Sequence, residues 1–416
     1  MDARFLGLDN IMSSLGLNTS DDFQMWYEDG LVDLETEDLN IEGFEWADPQ
    51  LGFDYGFLEA EGRLKSMATY VDYNSEPLAR GKDVELSKLE GQIPRQKRKI
   101  VRGENDYRKE LLSLNNADVM ARIRNSDPVE GVRGWLKDDL FDSLTEIPSS
   151  HNASITYQVG QMKSGRGVTL TEDNNKGGII GATFSANVPD ENIVTEEWYT
   201  VASDGTVTYV EGVDPIMTLK KKIRAIRRDR HKGYQNIAVE INYKTLDILS
   251  EHPAVLTKLG YSLRPEYGIS PNNDKNALKV GTDAYYSNQD GYMRNFIKSA
   301  IGADQLIVDT TIVGVDKLNS STKKFEQESL DVFNAGTILI RPAGIIGSIF
   351  NVVPLRPDGQ AIVAGIFGGR GIIEYRYNRE TRTQTWVSEL TALAVPNAPK
   401  KLFYFDVQGT TPESGD

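Results

Sequence analysis

The apolar positions of this chain keep a helical period in its middle and an alternating one towards its end. Between about 105 and 164 Leu136, Leu140 and Leu144 recur at i, i+4, and Ile155, Val159 and Met162 resume that spacing after Pro148. Proline lacks an N–H and clashes with the preceding turn, so a break or kink is expected at Pro148, with Ser149 or Ser150 capping a restarted segment. Ser164-Gly165-Arg166-Gly167 reads as the stop. Strands are expected over Val168–Thr171, Gly178–Val188 and Thr206–Val210. Met217–Lys232 returns to helical spacing, with Leu219, Ile223 and Ile226 on one face and cations around the rest. A solvated basic face is its first reading and a nucleic-acid contact its second. Asn236–Ile241 reads as a buried strand, followed by a helix over Tyr243–Glu251, a stop at His252-Pro253 and a further helix from Ala254 to Leu259. The last third reads as strands: Ala277–Val280, Gln305–Val315, Thr337–Ile340, Ala361–Phe367, Gly371–Tyr377, Gln384–Leu393 and Lys401–Val407. Helices and strands without regular βαβ alternation indicate an α+β fold.

The N-terminal quarter carries charge in blocks. From Asp21 to Glu61 there are fourteen carboxylates and no Lys or Arg, together with Phe23, Trp26, Tyr27, Phe44, Trp46, Phe53, Tyr55 and Phe57. Disordered acidic tails are poor in aromatics, so this composition suggests an arm that docks on something. Residues 68–102 hold two short apolar alternations around a polar, glycine-punctuated middle, the pattern of a long hairpin with little to bury by itself. Its foot is basic, with Arg95, Lys97, Arg98, Lys99 and Arg102. Trp26, Tyr27 and Trp46 of the arm and Arg95, Lys97, Arg98 and Lys99 of the foot are therefore the candidate inter-subunit contacts, the foot meeting an acidic neighbour.

The 416 residues, 39% hydrophobic and 26% charged, can bury one large core or two smaller ones. A net charge of −15 opposes general binding to a phosphate backbone. No apolar stretch approaches the length needed to span a bilayer, and the start of the chain lacks the basic and apolar regions of a signal peptide, so a cytoplasmic protein is expected. With no Cys and three scattered histidines there is no thiolate nucleophile, disulfide or zinc motif, and neither metal nor cofactor is expected. The glycine cluster from Gly365 to Gly371 lacks the spacing and terminal Lys-Ser/Thr of a phosphate loop and reads as a turn between strands. Asn272–Asn276 lacks the glycine and closing glutamate of a calcium loop and also reads as a turn. His151, beside Asn152, and His231, near Asp229, have no catalytic partner in sequence, and His252 reads as a helix terminator. Abundant carboxylates leave an acid–base dyad open without pointing to one.

The unit from Gln235 to Tyr261 (QNIAVEINYKTLDILSEHPAVLTKLGY) resembles the major capsid proteins of tailed phages, the lambda-type head protein group. Further stretches agree in order: Ala68-Thr-Tyr-Val-Asp-Tyr and Ile93-Pro-Arg at the two ends of a hairpin, Met162 to Leu170, Gly281-Thr-Asp-Ala-Tyr-Tyr-Ser, and Trp386 to Pro396 with Leu402 to Val407. The resemblance covers roughly residues 60–408 and implies the Hong Kong 97 fold. Its parts would be an N-terminal arm (1–65), an E-loop (66–103), a peripheral domain with a long spine helix (104–189), an axial domain (190–360), and C-terminal strands returning to the shell core (361–416). It also implies a non-enzymatic subunit that assembles with itself into hexamers and pentamers of an icosahedral head in the host cytoplasm. That head would carry a portal protein, would involve scaffolding, decoration and protease proteins in some forms, and would enclose double-stranded DNA without reading its sequence. An encapsulin-type compartment of the same fold is the alternative, and a carboxylate-dependent hydrolase a remote one.

Overall fold

The computed structural model describes residues 39–60, 86–103, 128–175, 178–229, 234–263, 274–287, 290–318, 325–354, 363–367, 369–378 and 383–409. Trp26, Tyr27, His231 and the segments 1–38, 61–85 and 104–127 lie outside these residues.

A single long helix, α1 (Pro128–Ser164), organises the first of two cores. It continues through Pro148 without a break. The Ser150 hydroxyl donates to the Ile147 carbonyl at 2.8 Å beside the proline. Ile147 and Pro148 are themselves buried, so packing offsets the lost backbone hydrogen bond. Ile147, His151, Ile155, Val159 and Met162 recur every three or four residues and are all buried. This face lies on the 14-residue strand β17 (Thr383–Pro396). Along one edge, β17 pairs antiparallel with β16 (Gly371–Asn378), which pairs with β15 (Val363–Phe367). The other edge is divided: β4 (Arg95–Gly103) takes Thr383–Thr391, and β14 (Gly347–Asn351) takes Ala392–Pro396. β1 (Phe44–Trp46) closes the sheet parallel to β14. The glycine cluster forms the connection between β15 and β16, as expected, with Gly369 at φ +64°.

The second core is a six-stranded sheet in the order β10-β9-β13-β18-β7-β8. Its strands are β7 (Ile193–Val201), β8 (Val207–Tyr209), β9 (Ile237–Asn242), β10 (Gln305–Asp309), β13 (Thr337–Pro342) and β18 (Phe403–Gly409). Helices α2 (Pro215–Arg228), α3 (Tyr243–Glu251), α4 (Pro253–Ser262), α5 (Asp274–Ser287) and α6 (Asp290–Ile301) supply the rest of its apolar packing. All six residues of β9 are buried, because both faces of the sheet are covered. Ile338, Ile340, Phe403 and Phe405 face the helices, whereas the alternating Leu339 and Tyr404 belong to the first core. The chain enters the second sheet, leaves it for β14 to β17, and returns to it only in β18.

Caps fix the helices locally. The Asn242 side chain accepts from Lys244 N at 2.8 Å to start α3. His252 ends α3 and starts α4, Ala254 N–H donating to its Nδ1 at 3.2 Å. The expected terminator is therefore also the next cap. Asp214 caps α2 through Met217 N at 3.0 Å, with Pro215 in the first turn.

Three strand or turn expectations are corrected. Ala277–Val280 is part of α5, as is the end of the Asn272–Asn276 run. Four residues are too few to reveal the helical recurrence of the buried Ala277, Gly281 and Ala284. That helix crosses α4 so closely that a Cβ on Gly260 would lie 1.8 Å from the Ala277 carbonyl oxygen, and one on Gly281 1.8 Å from that of Leu256. Gln305–Val315 is two strands, β10 in the second sheet and β11 (Ile312–Leu318) in a separate hairpin with β12 (Phe325–Asp331). Asp309 turns the chain between them, its carboxylate accepting from Thr311 N at 2.8 Å.

Candidate assembly interface

Three segments attach to the first core: the end of the arm, the base of the long hairpin and its basic foot. The arm is anchored from Leu39 onwards. Asn40 N–H donates to Thr156 Oγ1 on α1 at 3.1 Å, and Asn40 Nδ2 donates to Thr311 Oγ1 at 2.8 Å. Phe44 is buried against Gly347, which is why β14 carries glycine there: a Cβ would fall 2.2 Å from the Phe44 ring. Gly43 turns at φ +83°, and its carbonyl accepts from Ile346 N at 2.7 Å. Trp46, half-buried, lies under the Arg370 guanidinium at 4.2 Å.

The hairpin consists of β2 (Asp54–Ala60) antiparallel to β3 (Leu86–Gln92), with Asp54 opposite Gln92 and Ala60 opposite Leu86. Its first strand thus falls inside the acidic stretch read as arm. Its base reaches the core: Tyr55 is buried and stacks on Phe350 at 5.4 Å, and Ile93 is 4% exposed. A two-stranded ribbon has little independent stability, so this base holds it.

The foot is β4, and the structure gives most of its cations partners within the chain. Lys97 stands opposite Glu389 on β17 and meets Oε2 at 3.2 Å, while Arg95 reaches Oε1 of the same carboxylate at 2.9 Å. On the other face of the strand Arg98 contacts Glu146 at 2.6 Å and Asp316 at 2.7 Å. Lys99 is exposed and has no such partner among the described residues. Near Arg98 lies the buried His151, whose Nε2 is 2.9 Å from Ser388 Oγ. Burial, and then the nearby guanidinium, lower the His151 pKa to about 4, so the ring is neutral at neutral pH.

Where the two cores meet, the end of α1 is tied to the second sheet by buried charges. Glu240 on β9 accepts from Lys163 Nζ and from Arg341 Nε, both at 2.7 Å, and each of the three side chains is at most 2% exposed. Two cations to one anion leaves a positive surplus, and the fourth member comes from the arm: Glu42 Oε1 lies 3.6 Å from the Arg341 guanidinium. Tyr404 O–H donates to the Met162 carbonyl at 3.1 Å, and Arg166 pairs with Asp406 at 2.7 Å. Nothing in the local sequence signals this network except an isolated Glu in an otherwise apolar strand.

A cleft of about 260 Å³ on the second core is lined by Tyr243, Asp247, Tyr285, Tyr286, Tyr292 and Arg294, among others. Among the described residues no cluster of three His, Asp or Glu side chains could hold a metal. The carboxyls that depart from their ordinary range, Asp204 and Asp304, are lowered by backbone hydrogen bonds, opposite to the shift of a general acid. No helix among the described residues is long and apolar enough to cross a membrane.

No family model and no curated protein matches this sequence. Among solved structures the chain is similar to the procapsid of satellite phage P4 including its size determination (Sid) protein, at 10% identity, 92% of this chain, 99% of that one and a TM-score of 0.42. It is also similar to a phage-related protein of Bordetella bronchiseptica, at 11% identity, covering 94% and 97% of the two chains, with a TM-score of 0.40. The capsid of Myoviridae phage XM1 is similar at 10% identity over 88% and 90%, with a TM-score of 0.41.

Proposed function

We propose that this chain is the major capsid subunit of a tailed phage, a structural protein that assembles with itself into an icosahedral head. The observation that carries this reading is the division of labour around the first core. The sheet flanking the long helix takes two of its outer strands, β1 and β4, from segments that continue into an acidic arm and a ribbon too thin to stand alone. Such extensions suit a subunit that shares its stability with neighbours in a lattice. On the Hong Kong 97 plan, α1 is the spine helix and its sheet the peripheral domain, β2–β3 with residues 61–85 form the E-loop, and the six-stranded sheet with α2–α6 forms the axial domain. Hexamers, pentamers and a portal vertex follow from that plan. The compartment alternative shares the fold, and no feature of this chain favours it.

Negative-stain microscopy of the purified protein, expressed alone and with its neighbouring genes, tests the reading. Closed hollow particles tens of nanometres across are expected. A small soluble oligomer under both conditions would reject it.

A further inference from the structure

Helix α2 carries a second block of cations, three of which meet no carboxylate among the described residues. Helix α2 buries Ile216, Leu219, Ile223 and Ile226. Its opposite face exposes Met217, Lys221, Arg224 and Arg228, at i, i+4, i+7 and i+11, a continuous stripe. Other cations of the helix are engaged: Arg227 pairs with Asp304 at 2.8 Å, and Lys222 lies over the Phe403 ring at 4.6 Å. Among the described residues Lys221, Arg224 and Arg228 meet no carboxylate. Elsewhere in the chain Lys97, Lys163, Arg166, Lys244, Lys258 and Arg341 all do.

The complementary charge lies in the same sequence. Residues 21–38 contain eight carboxylates and no Lys or Arg, so the segment cannot neutralise itself. Asp33, Glu35 and Glu37 alternate, so an extended chain would place all three on one side about 7 Å apart. Lys221, Arg224 and Arg228 follow one another at about 5 and 6 Å along the helix, somewhat closer than the roughly 7 Å between successive carboxylates. Met217 at the end of the stripe offers a soft apolar contact for Trp26 or Tyr27. The segment begins just beyond the anchor at Asn40 on the first core, whereas α2 packs on the second.

We propose that the Lys221–Arg224–Arg228 stripe of α2 receives residues 21–38 of a second copy of this chain. The inference moves the acidic partner from the foot, where Glu389, Glu146 and Asp316 already stand, to the cations that remain open. It rests on the assembly reading, but it is tested in a way that separates the two.

A fluorescent synthetic peptide of residues 21–38 is titrated with the full-length protein, and with the triple variant Lys221→Glu, Arg224→Glu, Arg228→Glu, by anisotropy, which needs no particle formation. Binding weakened about tenfold or more in the variant, and strongly reduced by added salt, is expected. Equal binding to both proteins, or none to the wild type, overturns the proposal. Circular dichroism checks that the variant is folded, and the charge-removing variant Lys221→Gln, Arg224→Gln, Arg228→Gln should fall between the two. Because the chain has no cysteine, copies carrying only Arg224→Cys can be mixed with differently tagged copies carrying only Glu35→Cys under assembly conditions and joined with a short bismaleimide. A mixed-tag dimer exceeding the same-tag dimers is expected. Its absence from well-formed particles refutes docking between copies, and loss of bound DNA with normal particles in the triple variant would assign the stripe to nucleic acid. Failure of the wild type to form particles rejects the shell reading, while the peptide result still decides this one.

Discussion

The two cores are built on different principles. The second draws its strands from residues 193–409 alone, and its helices are capped by their own neighbours. The first depends on segments that begin outside it. Phe44 of the arm and Tyr55 and Ile93 of the hairpin base are buried in it, and β4 supplies one edge of β17. Under the proposed function, the second core would be the part that holds its own shape and the first the part that meets neighbours.

The largest expected effect comes from the junction that joins these two parts. Replacing Glu240 with Ala would strand Lys163 and Arg341, both buried, and should cost about 3–5 kcal/mol in denaturant-induced unfolding. A cost below about 1 kcal/mol would mean that the cores do not depend on their shared charges.

Phe44→Ala should cost about 3 kcal/mol and fall on the first core alone. A glutamate-specific protease should then cut at Glu42 or Glu45 while α3–α4 stay protected from hydrogen exchange. Equal loss of protection in both cores would erase the distinction.

Acid acts on the same core through His151. Its folded pKa is lowered to about 4 from 6.5, so between those values the unfolded chain binds more protons than the native one. Stability from this group is complete above pH 6.5 and declines as pH falls towards 4, by about 3 kcal/mol in all. A His151→Gln variant should show a flatter decline over that window, and an unchanged slope would place the acid sensitivity elsewhere.

The smallest effect belongs to the foot. Lys97→Ala should cost less than about 1 kcal/mol, because the pair with Glu389 is solvent-exposed and screened. A larger loss would show that the foot belongs to the body.

Much of the second core was legible in sequence. Asn236–Ile241 is short and apolar, Asn242 is a capping residue, and His252-Pro253 is a stop, so β9, α3 and α4 followed from local chemistry. The α5 helix did not, because Ala277, Gly281 and Ala284 are buried where it crosses α4 and carry little apolar signal, whereas α6 buries Met293, Ile297 and Ile301 at a helical period that went unread. Continuity through Pro148 is likewise a tertiary effect, imposed by burial against the sheet. At the candidate site the basic character of the foot was plain, but its partners lie far off in sequence: Arg98 meets Asp316 across 218 positions. No local pattern distinguishes a cation so paired from one left open on α2.

The claim that the projecting segments serve neighbours and not the body is tested most directly at the hairpin. Ala60 and Leu86 are cross-strand partners, so residues 61–85 can be replaced by Asn-Gly, a two-residue turn that closes β2 on β3. The account predicts an unchanged melting temperature for the subunit and no closed particles by electron microscopy. Normal yields of closed particles from the shortened chain would contradict it.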